Sequence, residues 1–355
     1  MNRNRPFALA MISMLLAGCG SFTNAVSSPS ATGNAPLLNR DELTQLRYVG
    51  GNNVWLTANN SGFYELFDFN IATKSASFIT PPGISGESGI AYAYNPNLGG
   101  VLGYYPFQSL LHSPIVFTKD YGHSWNSIGV DAKMAGIIDP LALSNDRIYI
   151  AEGGGTITSG TPTGATFAAL PALAHGAVVK GIYGLANGVV AVVAQGTSTT
   201  IEYFSESTST WSSVQKITSS DVIATEVLKG NTVTVGICSQ VGSRLKAELF
   251  DGTQLTPTFS ATSNATLIGC TPELSSATTT LGALTKQGSS VYLVDGSGQK
   301  ALQNGVTSYV SSGGLNLSIA PYSEGIHLVN TSTNVDYADH INATVANYVN
   351  QYQGG

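Results

Sequence analysis

Charged residues are scarce in this sequence. They make up only 10% of the chain, against about 25% in ordinary soluble domains. The 15 Lys and Arg residues are scattered singly and the formal net charge is −6, so there is no basic stripe of the kind that binds nucleic acid. The polar surface must then be built mainly from Ser, Thr, Asn, Gln and Gly, and we expect no nucleic-acid partner.

Long segments of helical periodicity are also missing. From about residue 46, short apolar and β-branched runs alternate with turns of Gly, Asn, Ser and Pro, which predicts strands rather than helices. The sequence of the segment Asp336–Gln351 suits either of two structures, a last strand over Thr344–Tyr348 or a short helix. At 43% hydrophobic residues, the chain has enough apolar material for a core.

Recognisable catalytic and metal-binding motifs are absent. The sequence has no Gly-x-Ser-x-Gly elbow in a strand-to-helix context and no phosphate-binding Gly loop. Its histidines are dispersed without metal-ligand spacing. They are His112, His123, His175, His327 and His340. The carboxylates Asp139, Glu226 and Glu324 lie on or near predicted inner strands, but no spacing shows that they converge. We predict no catalytic residue, no metal and no cofactor.

Cysteine is limited to three residues, Cys19, Cys238 and Cys270. If Cys19 is used in the N-terminal segment, the other two can pair in only one way in an oxidising compartment. They are 270 − 238 = 32 residues apart, which suits neighbouring strands of adjacent sheets. We favour a structural disulfide, and two buried free thiols are the alternative.

The N-terminus has the features of an export signal. Arg3 and Arg5 precede the apolar run Phe7–Leu16, which is too short to span a bilayer. The following Leu16-Ala17-Gly18-Cys19 resembles a bacterial lipobox, which implies cleavage after residue 18 and acylation of Cys19 by palmitate or a similar chain. Because Gly20 and not Asp follows, resemblance to enterobacterial sorting rules implies the outer membrane. An ordinary secretory peptide is the alternative.

Residues 19–45 are predicted to form a flexible tether, since they are rich in Ser, Ala, Asn and Pro. Residues 46–355 are then predicted to form a single domain.

A turn motif lies in the stretch Ile115–Trp125. Its defined positions follow the pattern Ser/Thr-x-Asp-x-Gly-x-Ser/Thr-Trp. They are Thr118, Asp120, Gly122, Ser124 and Trp125. This spacing is that of an Asp-box, and the chain resembles the BNR-repeat, sialidase-like β-propellers. The resemblance implies a hairpin between the third and fourth strands of a blade, in which Asp120 accepts backbone N–H groups, Gly122 takes a positive φ and Trp125 folds under the turn.

The strand pattern repeats about every 45 residues, which is typical of four-stranded propeller blades. The predicted second strands are Val54–Leu56, Val101–Gly103, Ile148–Ile150, Val189–Val193, Val233–Ile237, Leu281–Leu284 and Ile326–Val329. We therefore predict an all-β fold, a seven-bladed β-propeller of four-stranded antiparallel blades. Leu46–Val49 could close the ring as a strand clasp on the last sheet.

Sialidase chemistry is disfavoured by the arginines. That family needs three arginines around a carboxylate, a Tyr–Glu nucleophile pair and a general acid. After the signal segment only Arg40, Arg47, Arg147 and Arg244 are present, and Arg40 lies in the predicted tether. We therefore favour a non-catalytic protein-interaction or assembly module, with a carbohydrate-binding or sialidase-like glycoside hydrolase as the alternative. Three or more carboxylate, Arg or Tyr groups that converge at the axial mouth would favour the enzyme.

A candidate partner loop is the connection Tyr104–Pro114, which is long for a hairpin. Its large side chains are Tyr104, Tyr105, Phe107, Leu110 and Leu111. Such a loop either packs over a neighbouring blade or contacts an envelope protein or glycan. The predicted location is the outer membrane, on its periplasmic or surface face.

Overall fold

The computed structural model describes residues 41–60, 63–80, 89–105, 115–128, 141–151, 155–164, 166–173, 177–274, 279–312, 315–322, 325–331 and 335–336. Over these ranges the chain forms 28 strands and no helix. These described ranges therefore contain no helix long and apolar enough to cross a bilayer.

Five separate four-stranded sheets, here called blades 1 to 5, account for the first 20 strands. Blade 1 contains β1 (Asp41–Gly50), β2 (Asn53–Asn60), β3 (Phe63–Asn70) and β4 (Ser75–Phe78). Blade 2 contains β5 (Gly89–Asn95), β6 (Gly99–Tyr105), β7 (Ile115–Thr118) and β8 (Asn126–Ile128). Blade 3 contains β9 (Leu141–Leu143), β10 (Ile148–Ala151), β11 (Ile157–Gly160) and β12 (Ala168–Ala169).

Blade 4 contains β13 (Val178–Leu185), β14 (Gly188–Gln195), β15 (Ser198–Ser205) and β16 (Thr210–Ile217). Blade 5 contains β17 (Val222–Lys229), β18 (Thr232–Val241), β19 (Arg244–Phe250) and β20 (Leu255–Thr262). In every blade each strand pairs antiparallel with the next along the chain.

The remaining strands form one eight-stranded sheet. Its strands are β21 (Thr266–Leu274), β22 (Thr279–Gln287), β23 (Ser290–Asp295), β24 (Gly298–Ala301), β25 (Ser308–Ser312), β26 (Leu315–Tyr322), β27 (Gly325–Asn330) and β28 (Val335–Asp336). Two antiparallel halves, β21–β24 and β25–β28, are joined by one parallel pair between Glu273 and Ser311. The seven separate four-stranded sheets that we predicted are thus five, plus this larger sheet.

Burial falls from the second strand of a blade to its outermost strand. In β14, Gly188–Val193 are all buried, because neighbouring blades cover both faces of that strand. The outermost strand β24 is exposed at every position. The hydrophobic core therefore lies between adjacent blades.

The first and last sheets close the ring by packing and not by sharing a strand. Leu46 and Phe67 of blade 1 lie in one buried cluster with Val310 and Leu328 of the eight-stranded sheet. The predicted clasp is wrong, because Leu46–Val49 belong to β1 and pair with β2 across a tight turn. Strand β1 also begins at Asp41, before the predicted start of the domain at residue 46.

In the last half-sheet, β25–β28, the predicted strand order is displaced by one strand. The expected second strand Ile326–Val329 is β27, the third strand of its half. Strand β25, whose sequence is SYVSS, was missed because three of its five residues are Ser. The tail from residue 337 onward lies outside the described residues.

Candidate axial binding pocket

The first strands of the sheets surround a central cavity of about 580 Å³, here called the axial pocket. Strands β1, β5, β9, β13, β17 and β21 contribute its wall together with Thr307 and Ser308. In β5, β9 and β17 most lining residues come from the first half of the strand, and in β13 they come from its middle, so the pocket lies toward the beginnings of these strands. A volume of this size falls in the range of small-molecule and side-chain binding sites.

At the other end of the ring, hairpins meet across the axis. Asn97, in the β5–β6 turn, donates through Nδ2 to Asn145 Oδ1 at 3.0 Å and to the Asn231 carbonyl at 2.9 Å. Leu228 and Val233, from the β17–β18 hairpin, lie in the same buried cluster as side chains of blades 1 and 2. These contacts join blades 1, 2, 3 and 5 at the end of the ring opposite the pocket.

An ion pair between Arg47 and Glu226 forms the floor. Arg47 Nη2 lies 2.5 Å from Glu226 Oε2, and the other Glu226 oxygen accepts the Gly184 N–H at 2.7 Å. Arg47 Nη1 donates to the Tyr92 carbonyl at 2.8 Å, and its guanidinium carbon lies 5.7 Å from the centre of the Tyr92 ring. This network joins blades 1, 2, 4 and 5.

The two charges of the floor differ in their access to the pocket. The Arg47 side chain is 23% exposed, but that of Glu226 is only 2% exposed. Burial raises the pKa of the Glu226 carboxyl, and Arg47 and the Gly184 N–H counteract this effect. A carboxylate with both oxygens already paired and no open side is a structural anchor.

Two tyrosines complete the floor. Burial raises the pKa of Tyr92 and of Tyr183 to about 12, although the charge of Arg47 lowers both. Both phenols are therefore neutral near pH 7. Neither hydroxyl has a hydrogen-bond partner among the described residues.

Lys180 is the second cation of the pocket wall. A register shift between Val179 and Gly181 places it at a β-bulge of β13, a device that re-aims a side chain. A Cβ at Gly181 would lie 2.8 Å from the Tyr183 hydroxyl, so a larger residue here would displace the Tyr183 ring. Neither of the two ion pairs in the described part of the chain involves Lys180.

One side of the pocket is bordered by a disulfide. Cys238 of β18 and Cys270 of β21 are joined, with their Cα atoms 5.5 Å apart. Cys238 is fully buried, whereas Cys270 lines the pocket. The bond ties blade 5 to the eight-stranded sheet.

The segment predicted as an Asp-box, Thr118–Trp125, lies outside the pocket, in the β7–β8 turn. Asp120 accepts the Thr118 hydroxyl at 2.7 Å and the Ser124 N–H at 2.9 Å, and Gly122 has a φ of 91°. Burial alone would raise the pKa of Asp120, but the hydrogen bonds from Ser124 and Thr118 outweigh it and lower the pKa. The Trp125 indole donates to the Ile79 carbonyl of blade 1 at 2.6 Å.

Related turns occur in other blades, which sequence reasoning missed. Between β3 and β4, Asn70 Oδ1 accepts the N–H groups of residues 72 and 73 at 3.0 and 3.1 Å. Asp251 and Asp295 do the same after β19 and β23. Between β15 and β16 of blade 4, the Trp211 indole donates to the Pro171 carbonyl of blade 3 at 2.8 Å, as Trp125 does to blade 1. The available signal was an Asx residue at the last position of a third strand or directly after it.

Several residues that the sequence singled out lie outside the residues that the structure describes. They are Cys19, Phe107, Leu110, Leu111, His112, Asp139, His175, Glu324 and His340. Tyr104 and Tyr105 end β6, and His327 lies in β27, but only their backbone is described. His123 is exposed in the Asp-box turn. Within the described ranges no three His, Cys, Asp or Glu side chains form a metal-binding group.

Four ionisable groups do converge at the axis: Arg47, Glu226, Tyr92 and Tyr183. This meets the criterion that favours an enzyme. Of the three candidate carboxylates, Glu226 is the one that the structure brings to the centre. Sequence reasoning did not find its partner Arg47, because the segment Leu46–Val49 was predicted as a strand clasp on the last sheet and not as an inner strand.

No protein-family model matches the sequence, and no curated protein matches it. The β-propeller domain of Cps50 (Swd1) from Myceliophteria thermophila is 11% identical with a TM-score of 0.54, over 81% of this chain and 97% of that one. The open-velcro propeller domain of the Trilobed protease from Pyrococcus furiosus is 10% identical with a TM-score of 0.54, over 85% and 97%. YCF48 from Cyanidioschyzon merolae is 12% identical with a TM-score of 0.51, over 87% and 98%. At such identities the likeness concerns the fold alone, and the fold is a β-propeller of four-stranded antiparallel blades.

Proposed function

We propose that this protein is a lipid-anchored, non-catalytic binding module of the bacterial cell envelope, whose β-propeller holds an envelope partner at the open end of the axial pocket. The eight-stranded sheet counts as two blades in this proposal, because its halves are separate antiparallel meanders joined by one pair of residues. The ring then has seven blades.

The observation that carries the proposal is the state of Glu226. It is the one carboxylate among the described lining residues of the pocket, and both of its oxygens are engaged by Arg47 and Gly184. A general acid, base or nucleophile must reach the reacting atoms, and a side chain that is 2% exposed does not. The other polar lining residues, among them Lys180, Tyr183 and Thr225, can donate hydrogen bonds, which suits recognition.

The anchor and the location rest on the N-terminal sequence. The lipobox-like Leu16-Ala17-Gly18-Cys19 supports acylation of Cys19, and Gly20 supports the outer membrane. The tether would hold the propeller away from the bilayer, so that its pocket can face a partner.

The partner loop is part of the same proposal. Tyr105 pairs with Gly89 at the beginning of β5, which is the end of the strand toward which the axial pocket lies. The described part of β6 therefore ends on the pocket side of blade 2. We propose that Phe107, Leu110 and Leu111 contact the partner there together with Tyr104 and Tyr105.

Recovery of partners from detergent-solubilised envelope with the tagged full chain tests this function. The variant Phe107→Ala with Leu110→Ala should lose the partner and keep the melting temperature, whereas Val241→Ala should keep both. Val241 is 44% exposed at the end of β18, which leads into the equivalent connection of blade 5. If the loop packs over the ring, the double variant instead lowers the melting temperature, since emptying a buried apolar site costs about 2–5 kcal/mol.

A carbohydrate-active enzyme is the second candidate, favoured by Tyr183, Glu226 and Arg47 meeting at the axis. A Tyr–Glu pair beside an arginine has the composition of a glycosidase nucleophile. Turnover of aryl glycosides, including aryl sialosides, by the wild type and its loss in Tyr183→Phe would support this function. Absence of turnover with every aryl glycoside tested would contradict the enzyme and support the binding module.

A further inference from the structure

The charge of the axial pocket is opposite to that of the whole chain. The formal net charge of the protein is −6, but the described lining residues carry the two cations Arg47 and Lys180 against the single anion Glu226. The described lining therefore has a formal net charge of +1 (two cations minus one anion), and a net charge in a concave site raises the local concentration of ions of opposite sign. The pocket therefore attracts anions although the protein as a whole repels them.

The charge that remains available belongs to Lys180. Arg47 is neutralised by Glu226 at 2.5 Å, while neither ion pair in the described part of the chain uses Lys180. Lys180 is an exposed residue, lies at a β-bulge of β13 and lines the pocket. A bulge at this position is consistent with a side chain directed into a site.

The neighbouring polar groups are donors without acceptors. The Tyr92 and Tyr183 hydroxyls, which burial keeps protonated, have no hydrogen-bond partner among the described residues. The sole carboxylate in this lining, Glu226, already has a partner for each of its two oxygens. The two hydroxyls and Lys180 are complementary to a negatively charged acceptor. Carboxylates form short charge-assisted hydrogen bonds with such donors.

We infer that the axial pocket binds a carboxylate, namely the acidic side chain of a partner protein, through Lys180 with the hydroxyls of Tyr92 and Tyr183. This inference rests on the proposed function and names the chemistry of the partner. Lys180 supplies the charge, and the two phenols supply hydrogen bonds. The apolar residues Ile90, Leu141 and Ile223 at the pocket wall surround the methylene groups of the entering side chain.

Calorimetric titration of the full chain in detergent tests the inference, with two probe pairs. The acetylated, amidated peptide Gly-Glu-Gly is compared with its Gln analogue, and free glutarate is compared with glutaramide. We expect the acids to bind and the amides not to bind. Binding by the peptide assigns the site to a partner's side chain, while binding by glutarate alone assigns it to a free small acid and overturns the protein-partner source.

Two variants and a matched control locate the site. Lys180→Gln should weaken binding of the acidic peptide at least about tenfold, since it removes a charge-assisted bond. Lys216→Gln should leave it unchanged, because Lys216 is an exposed lysine on the outermost strand of the same blade. Tyr183→Phe, which removes only a hydroxyl, should weaken binding by a smaller factor.

Wild-type affinity in Lys180→Gln, or equal binding of acid and amide, overturns the inference. The proposed function fails independently of it. Partner recovery that survives Lys180→Gln contradicts the carboxylate site but keeps the binding module. Binding of the acidic peptide with no partner recovered keeps the site but contradicts the protein partner.

Discussion

The guanidinium of Arg47 lies 2.5 Å from the carboxylate of Glu226, although 179 residues separate them in the sequence. One belongs to the first strand of blade 1 and the other to the first strand of blade 5. The pair therefore spans the axis of the ring and connects blades that are not neighbours in the chain. Its effect on stability can be measured separately from any effect on binding.

Removal of one member of this pair should destabilise the protein strongly. Arg47→Met leaves Glu226 buried without its counter-charge, and breaking a buried ion pair in this way costs about 3–5 kcal/mol. The double variant Arg47→Met with Glu226→Gln should cost less than the sum of the two single changes. Each single change leaves one charge without its partner, whereas the double variant leaves none. Urea unfolding measures both.

The pair Lys246–Glu248 supplies the control. Its atoms are 2.6 Å apart, but the Lys246 side chain is 34% exposed. Lys246→Met should therefore cost about 1 kcal/mol or less. Equal losses at Arg47 and Lys246 would contradict the assigned role of the floor.

Stability should fall as the pH rises from about 4 to about 8. Burial raises the pKa of Glu65 and of Asp68 to about 7, from ordinary values of 4.5 and 3.8. Within this window the folded chain holds protons that the unfolded chain has lost, so the free energy of unfolding decreases with increasing pH. We expect on the order of 1–3 kcal/mol for each carboxyl, read from urea unfolding at several pH values.

The double variant Glu65→Gln with Asp68→Asn should reduce this dependence, and Glu273, whose pKa burial also raises to about 7, contributes to what remains. Asp251→Asn is a control of opposite sign, since hydrogen bonds led by the Gln254 N–H lower the pKa of Asp251 and its contribution is lost as the pH falls. An unchanged pH dependence in the double variant would show that the two carboxyls do not titrate as described.

Reduction of the disulfide should lower the stability of the ring. Cys238 and Cys270 close a loop with a sequence separation of 32, which corresponds to about 3–4 kcal/mol in the chain-entropy model. The variant Cys238→Ala with Cys270→Ala should unfold at a lower urea concentration and become insensitive to dithiothreitol. Wild-type protein whose unfolding does not respond to dithiothreitol would argue against a contribution of this bond.

Two tryptophans should contribute independently to different seams. Trp125 bonds the Ile79 carbonyl and Trp211 bonds the Pro171 carbonyl, so Phe at either position leaves a carbonyl without its donor. Each change should cost about 1–2 kcal/mol, and the two losses should add because the seams share no residue. A double variant no less stable than either single variant would contradict the assignment.

Acylation should depend on Cys19 alone. Cells supplied with labelled palmitate should label the wild type and not Cys19→Ser, whose product should leave the membrane fraction. A wild type that carries no label and fractionates as a free periplasmic protein would identify the N-terminus as an ordinary secretory peptide.

The sequence by itself predicted the blade and its turns, because these are local. The 45-residue period locates β2, β6, β10, β14, β18 and β22 within their sheets. The hydrogen bonds of Asp120 involve residues at most four positions away, so spacing alone anticipates them. Where the local pattern weakened, as at β25 with its three serines, the prediction slipped by one strand.

The floor and wall of the pocket were decided by tertiary structure alone. Glu226 could be named as a candidate, but its pairing with Arg47 depends on how the first strands meet around the axis. The availability of Lys180 depends likewise on a bulge and on which carboxylates other blades bring near it. Ring closure followed the same logic: Leu46 packs against Val310 and Leu328, a contact between opposite ends of the chain. Short-range hydrogen bonds and alternation are encoded residue by residue, whereas contacts across the ring exist only once every blade has taken its place.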